Sequence, residues 1–190
     1  MDRAEMARAM RAFLAAIDQR FPGDDLERTP VRVADAWVDD LIAGYDVDPA
    51  AEMTWTPAPP GCGPVLVRRI SFSSVCVHHL LPFFGRIGVA YLPAERMAGL
   101  SKIGRVADAL ARRMQTQEKL TGEIADTLAD TLAPRGVLVL VDAQHTCMTL
   151  RGVRKERGRM TTLATRGLYE EDRASRAEIL SLLTAGTAGG

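Results

Sequence analysis

The sequence predicts an α+β fold whose core runs strand, strand, helix, helix, strand, strand, preceded by helices. Three patterns predict it. Apolar residues alternate in two pairs of extended segments. They recur every three to four residues in the long stretch between those pairs. Pro and Gly punctuate the junctions.

Residues 2–17 read as a helix, with Met6, Met10, Phe13 and Leu14 at helical spacing, and "RFPGDD" breaks it. "RTPVRVADAWVDDLIAGY" reads as a second helix, with Thr29 as N-cap, Pro30 in the first helical position and Gly44 as its end. The Pro/Gly-rich "DVDPAAEMTWTPAPPGCGP" reads as a connector. In "VLVRRISFS", alternation places Leu66, Ile70 and Phe72 on one face; in "GRIGVAYLP" it places Ile87, Val89 and Tyr91 together. Two helical stretches follow. "LSKIGRVADALARRMQTQ" repeats Ile103, Val106, Leu110 and Met114, and "EKLTGEIADTLADTLA" repeats Leu120, Ile124, Leu128 and Leu132. Pro134 and Gly136 stop the second. "GVLVLVDAQHTCM" is a buried strand and "RMTTLATRG" the fourth. "EEDRASRAEILSLL" is a closing helix, and "TAGTAGG" a disordered tail. The chain divides into a helical region and connector over 1–60, a core domain over 61–170, and a terminal helix with its tail over 171–190.

The 190 residues suffice for one domain with a real core. Lys plus Arg equals Asp plus Glu, so the balance of charge points to neither nucleic acid nor a membrane surface as partner. No apolar run reaches the length of a spanning helix, and the charged "MDRAEMARAM" lacks a secretory stretch. Both features predict a cytoplasmic protein. Three cysteines make a disulfide framework a poor reading.

Chemistry concentrates in two segments. The three histidines of the chain are His78 and His79, just after Cys76, and His145, two residues before Cys147. Cys76 and His79 form a C-x-x-H spacing that closes around one ion, and thiolate with imidazole suits zinc. Cys62, in "PPGCGP", reads as a spectator. Spacing does not choose which histidines bind: a closed Cys2His2 site and an open three-ligand site both satisfy it. In the open case, the unligated histidines stand beside an acidified water, an inventory for hydrolysis.

Anion contacts form a second set. "GLSKIGR" opens a helix with Ser101, Lys102 and Arg105 on its first turns. Ser101 also reads as an N-cap. Arg151 follows Cys147 by four residues, in the basic "RGVRKERGR". No aromatic residues interleave with that run, which argues against RNA. Glu118, where the two helical halves meet, can accept from a guanine-type N–H pair.

Together, "RTPVRVADAW", "CVHHLLPFFG", "GLSKIGR", "QTQEKLT" and "HTCMTLRGV" resemble the GTP cyclohydrolase I family in order and spacing. The resemblance covers most of the chain. It implies a T-fold, the two-strand, two-helix, two-strand unit read above, whose sheets close into a barrel by oligomerisation. It also implies a homodecamer of two pentamers, with active sites at subunit interfaces. By position, Cys76, His79 and Cys147 would hold Zn2+ and His78 and His145 would be catalytic. Ser101, Lys102, Arg105 and Arg151 would hold the triphosphate of GTP, and Gln117 and Glu118 would read the guanine. The implied reaction yields 7,8-dihydroneopterin triphosphate and formate, feeding folate or another pterin pathway. The family usually reads Cys-Glu-His-His; here Val77 replaces the glutamate. That departure keeps two alternatives open. One is a paralogue that acts on another purine or pterin, or stops at a ring-opened formamidopyrimidine. The other is a non-catalytic zinc-stabilised subunit.

Overall fold

The computed structural model describes residues 1–17 and 26–185. The expected break at "RFPGDD" and residues 186–190 of the expected tail lie outside the described residues. Helix α1 (Arg3–Ala16) is capped by Asp2, whose carboxylate accepts from the Glu5 N–H at 2.8 Å. Helix α2 (Thr29–Ala36) packs against it. Arg3 bridges the two, reaching Asp35 at 2.7 Å and Asp39 at 2.6 Å. Thr29 is not the cap: Arg28 holds that position and Thr29 is the first helical residue. The helix also ends earlier than Gly44. It widens into a π-helical turn at Trp37–Leu41, followed by a 3-10 turn at Ala43–Asp46 that contains Gly44.

The connector contributes a strand that its Pro/Gly content hides: β1 (Trp55–Pro57) pairs with β4 (Arg96–Ala98). The main sheet has five strands in the order β5-β2-β3-β6-β7. They are β2 (Val65–Cys76), β3 (Pro82–Leu92), β5 (Met114–Gln115), β6 (Gly136–His145) and β7 (Met160–Gly167). The four long strands are antiparallel neighbours, whereas two-residue β5 runs parallel to β2. Met114 therefore belongs to this short strand and not to the preceding helix. Helices α3 (Leu100–Ala111) and α4 (Gln117–Leu132) lie between β3 and β6 in sequence, which gives the T-fold order.

Both helices cover one face of the sheet. On α4, Leu120, Ile124, Leu128 and Leu132 are all fully buried. They share one stripe because four residues make just over one turn. Each such burial contributes about 1.5–3 kcal/mol. The stripe meets Phe83, Ile87, Val89 and Tyr91 of β3 and Val137, Val139 and Val141 of β6 in one core. A smaller core on the other face joins Ala90 and Leu138 to Tyr169 of α6 (Leu168–Glu171) and to Ile179 and Leu183 of α7 (Arg173–Thr184).

One face assignment in β2 changes. Val67 pairs with Val89 and Ile70 with Ile87, so β2 spends one more residue than β3 over that span. Arg69 takes φ 62° at this bulge. The parity of the strand flips there. Ile70 and Phe72 join the helix-side core with Val65 and Val67, while Leu66 packs on the α7 side.

Among the described residues, no helix is long and apolar enough to cross a membrane. Strands β3 and β6 approach so closely at Gly85 that a Cβ would stand 2.1 Å from the Asp142 carbonyl oxygen. Gly85→Ala is expected to lose about 1–3 kcal/mol of stability through this overlap. Denaturant unfolding measures it, and an unchanged midpoint would contradict so close an approach.

Candidate active site

The site grows from two strand ends. Strand β2 finishes at Cys76, and the chain reverses through Val77–Leu81 into β3. Leu80 takes φ 55° in this turn and its N–H donates to the Cys76 carbonyl at 2.8 Å. The turn holds Cys76 at its base and His78 and His79 on its exposed arc. Next to it, β6 ends at His145, which pairs with Phe83. A four-residue helix, α5 (Thr146–Thr149), then carries Cys147. Cys147 thus sits on a helical turn and not within the strand that "GVLVLVDAQHTCM" predicts. The Thr146 hydroxyl donates to the Pro82 carbonyl at 2.6 Å and pins this turn to the start of β3.

Cys76, His79 and Cys147 meet here, their ligand atoms all within 4.8 Å of one another. The Cys76 Sγ to His79 Nδ1 distance is 3.9 Å. Around one tetrahedral zinc, with Zn–S near 2.3 Å and Zn–N near 2.0–2.1 Å, neighbouring donors stand ~3.5–3.8 Å apart. The donor set fits such an ion with small adjustments. Among the described residues the group has three members, so a tetrahedral ion would keep one open position. Burial pushes the Cys147 thiol up, and the neighbouring Cys76 pushes the same way. A bound divalent cation reverses that balance by favouring thiolate.

His145 lies beside the cluster. Its ring stacks on Phe83, with centroids 4.6 Å apart and planes 3° from parallel. Its Nε2 lies 2.8 Å from Gln117 Oε1. Burial lowers its pKa, partly offset by the Glu118 carboxylate. The neutral imidazole is the favoured form. His78 is exposed, its ring centroid 6.3 Å from that of His79.

Glu118 is exposed on the first turn of α4, close enough to influence His145. Thr116 caps that helix, accepting from the Lys119 N–H. Arg151 is exposed just past α5 and acts electrostatically on Cys147. Gln117 turns inward. Its side chain is 1% exposed and bonded to β6 and β7. Val77 is 45% exposed, and its N–H donates to the Gln115 carbonyl.

The remaining anion-type residues lie elsewhere. The Ala98 N–H donates to the Tyr91 hydroxyl, which fixes the start of α3 near the far end of β3. From Pro82 to Tyr91 the strand rises about 30 Å, so Ser101 and Lys102 lie roughly 20 Å or more from Cys76 of the same chain. Gly99, not Ser101, occupies the N-cap of α3. Arg105 is exposed and faces Glu52 at 3.6 Å. One chain therefore gathers Cys76, His78, His79, Gln117, Glu118, His145, Cys147 and Arg151 at one end of the sheet, and Ser101, Lys102 and Arg105 near the other.

Sequence reasoning missed the groups that hold His145 in place. Phe83 appeared only inside "CVHHLLPFFG" with no role of its own, and Thr121 and Thr162 carried no signal. Their contacts span three elements and have no local spacing.

Comparison with known proteins bears on the whole chain. The family model described as GTP cyclohydrolase I matches residues 6–184. A GTP cyclohydrolase 1 from Streptococcus agalactiae serotype Ia is 40% identical over 183 residues, covering 96% of this chain and 97% of that protein. A GTP cyclohydrolase 1 from Streptococcus pyogenes is 44% identical over 177 residues, covering 93% of this chain and 91% of that one. With the T-fold order, the cysteine–histidine cluster and a match of this extent, the chain belongs to the GTP cyclohydrolase I family.

Proposed function

We propose that the chain is a zinc-dependent GTP cyclohydrolase I, converting GTP and water to 7,8-dihydroneopterin triphosphate and formate. The observation that carries this reading is the meeting of Cys76, His79 and Cys147 beside His145 and Glu118, in a chain of this family. Cys76, His79 and Cys147 would hold zinc, which when bound would supply Lewis acidity and an acidified water near neutral pH.

The chain's own groups do the rest. Glu118, exposed at the mouth of the site, accepts from the guanine N–H pair. His145 and His78 move protons at the purine nitrogen and the ribose oxygen as the five-membered ring opens and the six-membered ring closes. His145 suits this role because burial keeps its imidazole neutral and Phe83 fixes its plane. Arg151 pairs with phosphate from the same chain.

Ser101, Lys102 and Arg105 complete the triphosphate site from a neighbouring chain. Their distance from Cys76 within one chain supports a shared site. So does β7, which ends the sheet as an edge strand open to a further partner. A ring of subunits closed into a barrel, doubled to a decamer, satisfies both. The protein acts in the cytoplasm, with GTP as its small-molecule partner.

Val77 supports one second reading. An apolar, exposed residue beside His78 removes a carboxylate from the proton-handling region, and the reaction then stops at the ring-opened formamidopyrimidine.

Mass spectrometry of products from zinc-loaded protein and GTP tests both readings. Formate with dihydroneopterin triphosphate is the expected outcome. A formylated pyrimidine would favour the second reading, and unchanged GTP would overturn both. The shared site has its own test. Lys102→Ala and Cys147→Ala are each expected to be inactive alone and to regain activity when co-assembled. No recovery on mixing would contradict a site built from two chains.

A further inference from the structure

We infer that Gln117 is a positioning residue that fixes His145 in the tautomer with its proton on Nε2, leaving Nδ1 as the ring nitrogen that exchanges protons with substrate. This rests on the reading of His145 as a proton carrier, and it moves Gln117 from guanine contact to support of that carrier.

The hydrogen-bond polarity follows from groups that cannot reverse. Gln117 Nε2 lies 3.0 Å from the carbonyl oxygens of Val141 and Met160. Both are acceptors only, so the amide nitrogen must face them; the flipped amide would set three acceptors against one another. Gln117 Nε2 also lies 3.0 Å from Thr162 Oγ1. Thr162 can accept there because its own hydrogen is used elsewhere. The Thr121 hydroxyl donates to the Gln117 carbonyl at 2.7 Å, which obliges Thr162 to be the donor in the 2.6 Å contact between the two hydroxyls. The direction of each bond is fixed, with the two amide hydrogens shared among three acceptors.

With its nitrogen committed, Gln117 presents Oε1 to His145 Nε2 at 2.8 Å. An amide oxygen accepts and cannot donate, so Nε2 carries the hydrogen and neutral His145 keeps its lone pair on Nδ1. Gln117 is 1% exposed and Thr121 also 1%, so water does not compete for these groups. The parallel stack on Phe83, itself fully buried, holds the ring in the plane that the bond requires. Strands β6 and β7 and helix α4 thus set one proton on one nitrogen.

The test labels histidine rings with 15N and reads tautomers by long-range proton–nitrogen correlation, in metal-free and zinc-loaded protein, at about pH 8 where free imidazole is neutral. The chain has three histidines, so His145→Asn assigns the signal directly. Wild-type His145 is expected as the single Nε2–H tautomer. Gln117→Met is expected to mix in the Nδ1–H form and to lower kcat on the order of 100-fold while KM for GTP changes little. If Gln117→Met does not fold, Thr162→Val loosens the same circuit and is expected to shift the tautomer in part. An Nδ1–H signal in the wild type overturns the inference. So does a tautomer indifferent to these changes, or a raised KM with kcat intact, which returns Gln117 to guanine contact. The tautomer signal does not depend on turnover, so it decides the inference even if GTP proves not to be the substrate.

Discussion

The pairing of β3 with β6 is the constraint on which the site depends. Ten register pairs run from Phe83–His145 to Leu92–Gly136. That ladder brings the turn after β2 beside the end of β6, although more than sixty residues separate them in sequence. Each backbone bond adds only about 0.5–1.5 kcal/mol net, but a slip of one residue would turn every core side chain to the wrong face. Fully buried Ile87, Val89, Val139 and Val141 exclude the slip. The register that packs the core is thus the register that sets Cys147 against Cys76 and His79, and His145 against Phe83.

The helices then divide the chemistry between the two ends of the sheet. Helix α4 begins at Gln117 and Glu118, so its first turn faces the cysteine–histidine end, and its buried stripe locks it there. Helix α3 begins at the other end, next to Tyr91, and returns toward Gln115. Its basic first turn is therefore exposed away from the Cys76, His79 and Cys147 cluster of its own chain. On the proposed reading, a single chain would carry both halves of a nucleotide site but would not close them on one nucleotide. The open edge of β7 and the exposed first turn of α3 are the two surfaces that a neighbouring subunit would use.

Much of this was legible in the sequence. The α4 stripe and the strand alternation of β3 needed only periodicity, because each arises from local geometry. Composition drew attention to the cysteines and histidines, but the choice of Cys76, His79 and Cys147 among them came from the family resemblance. The β2 bulge was not legible, since Arg69 adopts its positive φ without a glycine to mark it. Strands β1 and β5 are two or three residues long and exist only through their partners. Thr29 looked like a cap because Pro30 follows it, yet helical geometry begins one residue earlier. Gln117 shows the limit most clearly. A polar residue at a helix start reads as exposed, and only the approach of Val141, Met160 and Thr162 turns it inward.

The meeting of two thiols and one imidazole with room for a fourth ligand is the centre of this account. X-ray absorption on the zinc-loaded full-length protein tests it directly, with and without GTP. The account predicts two sulfur donors, one imidazole and one light-atom ligand whose signal changes when GTP is added. A zinc shell with four protein donors, indifferent to GTP, would contradict it and mark the metal as structural.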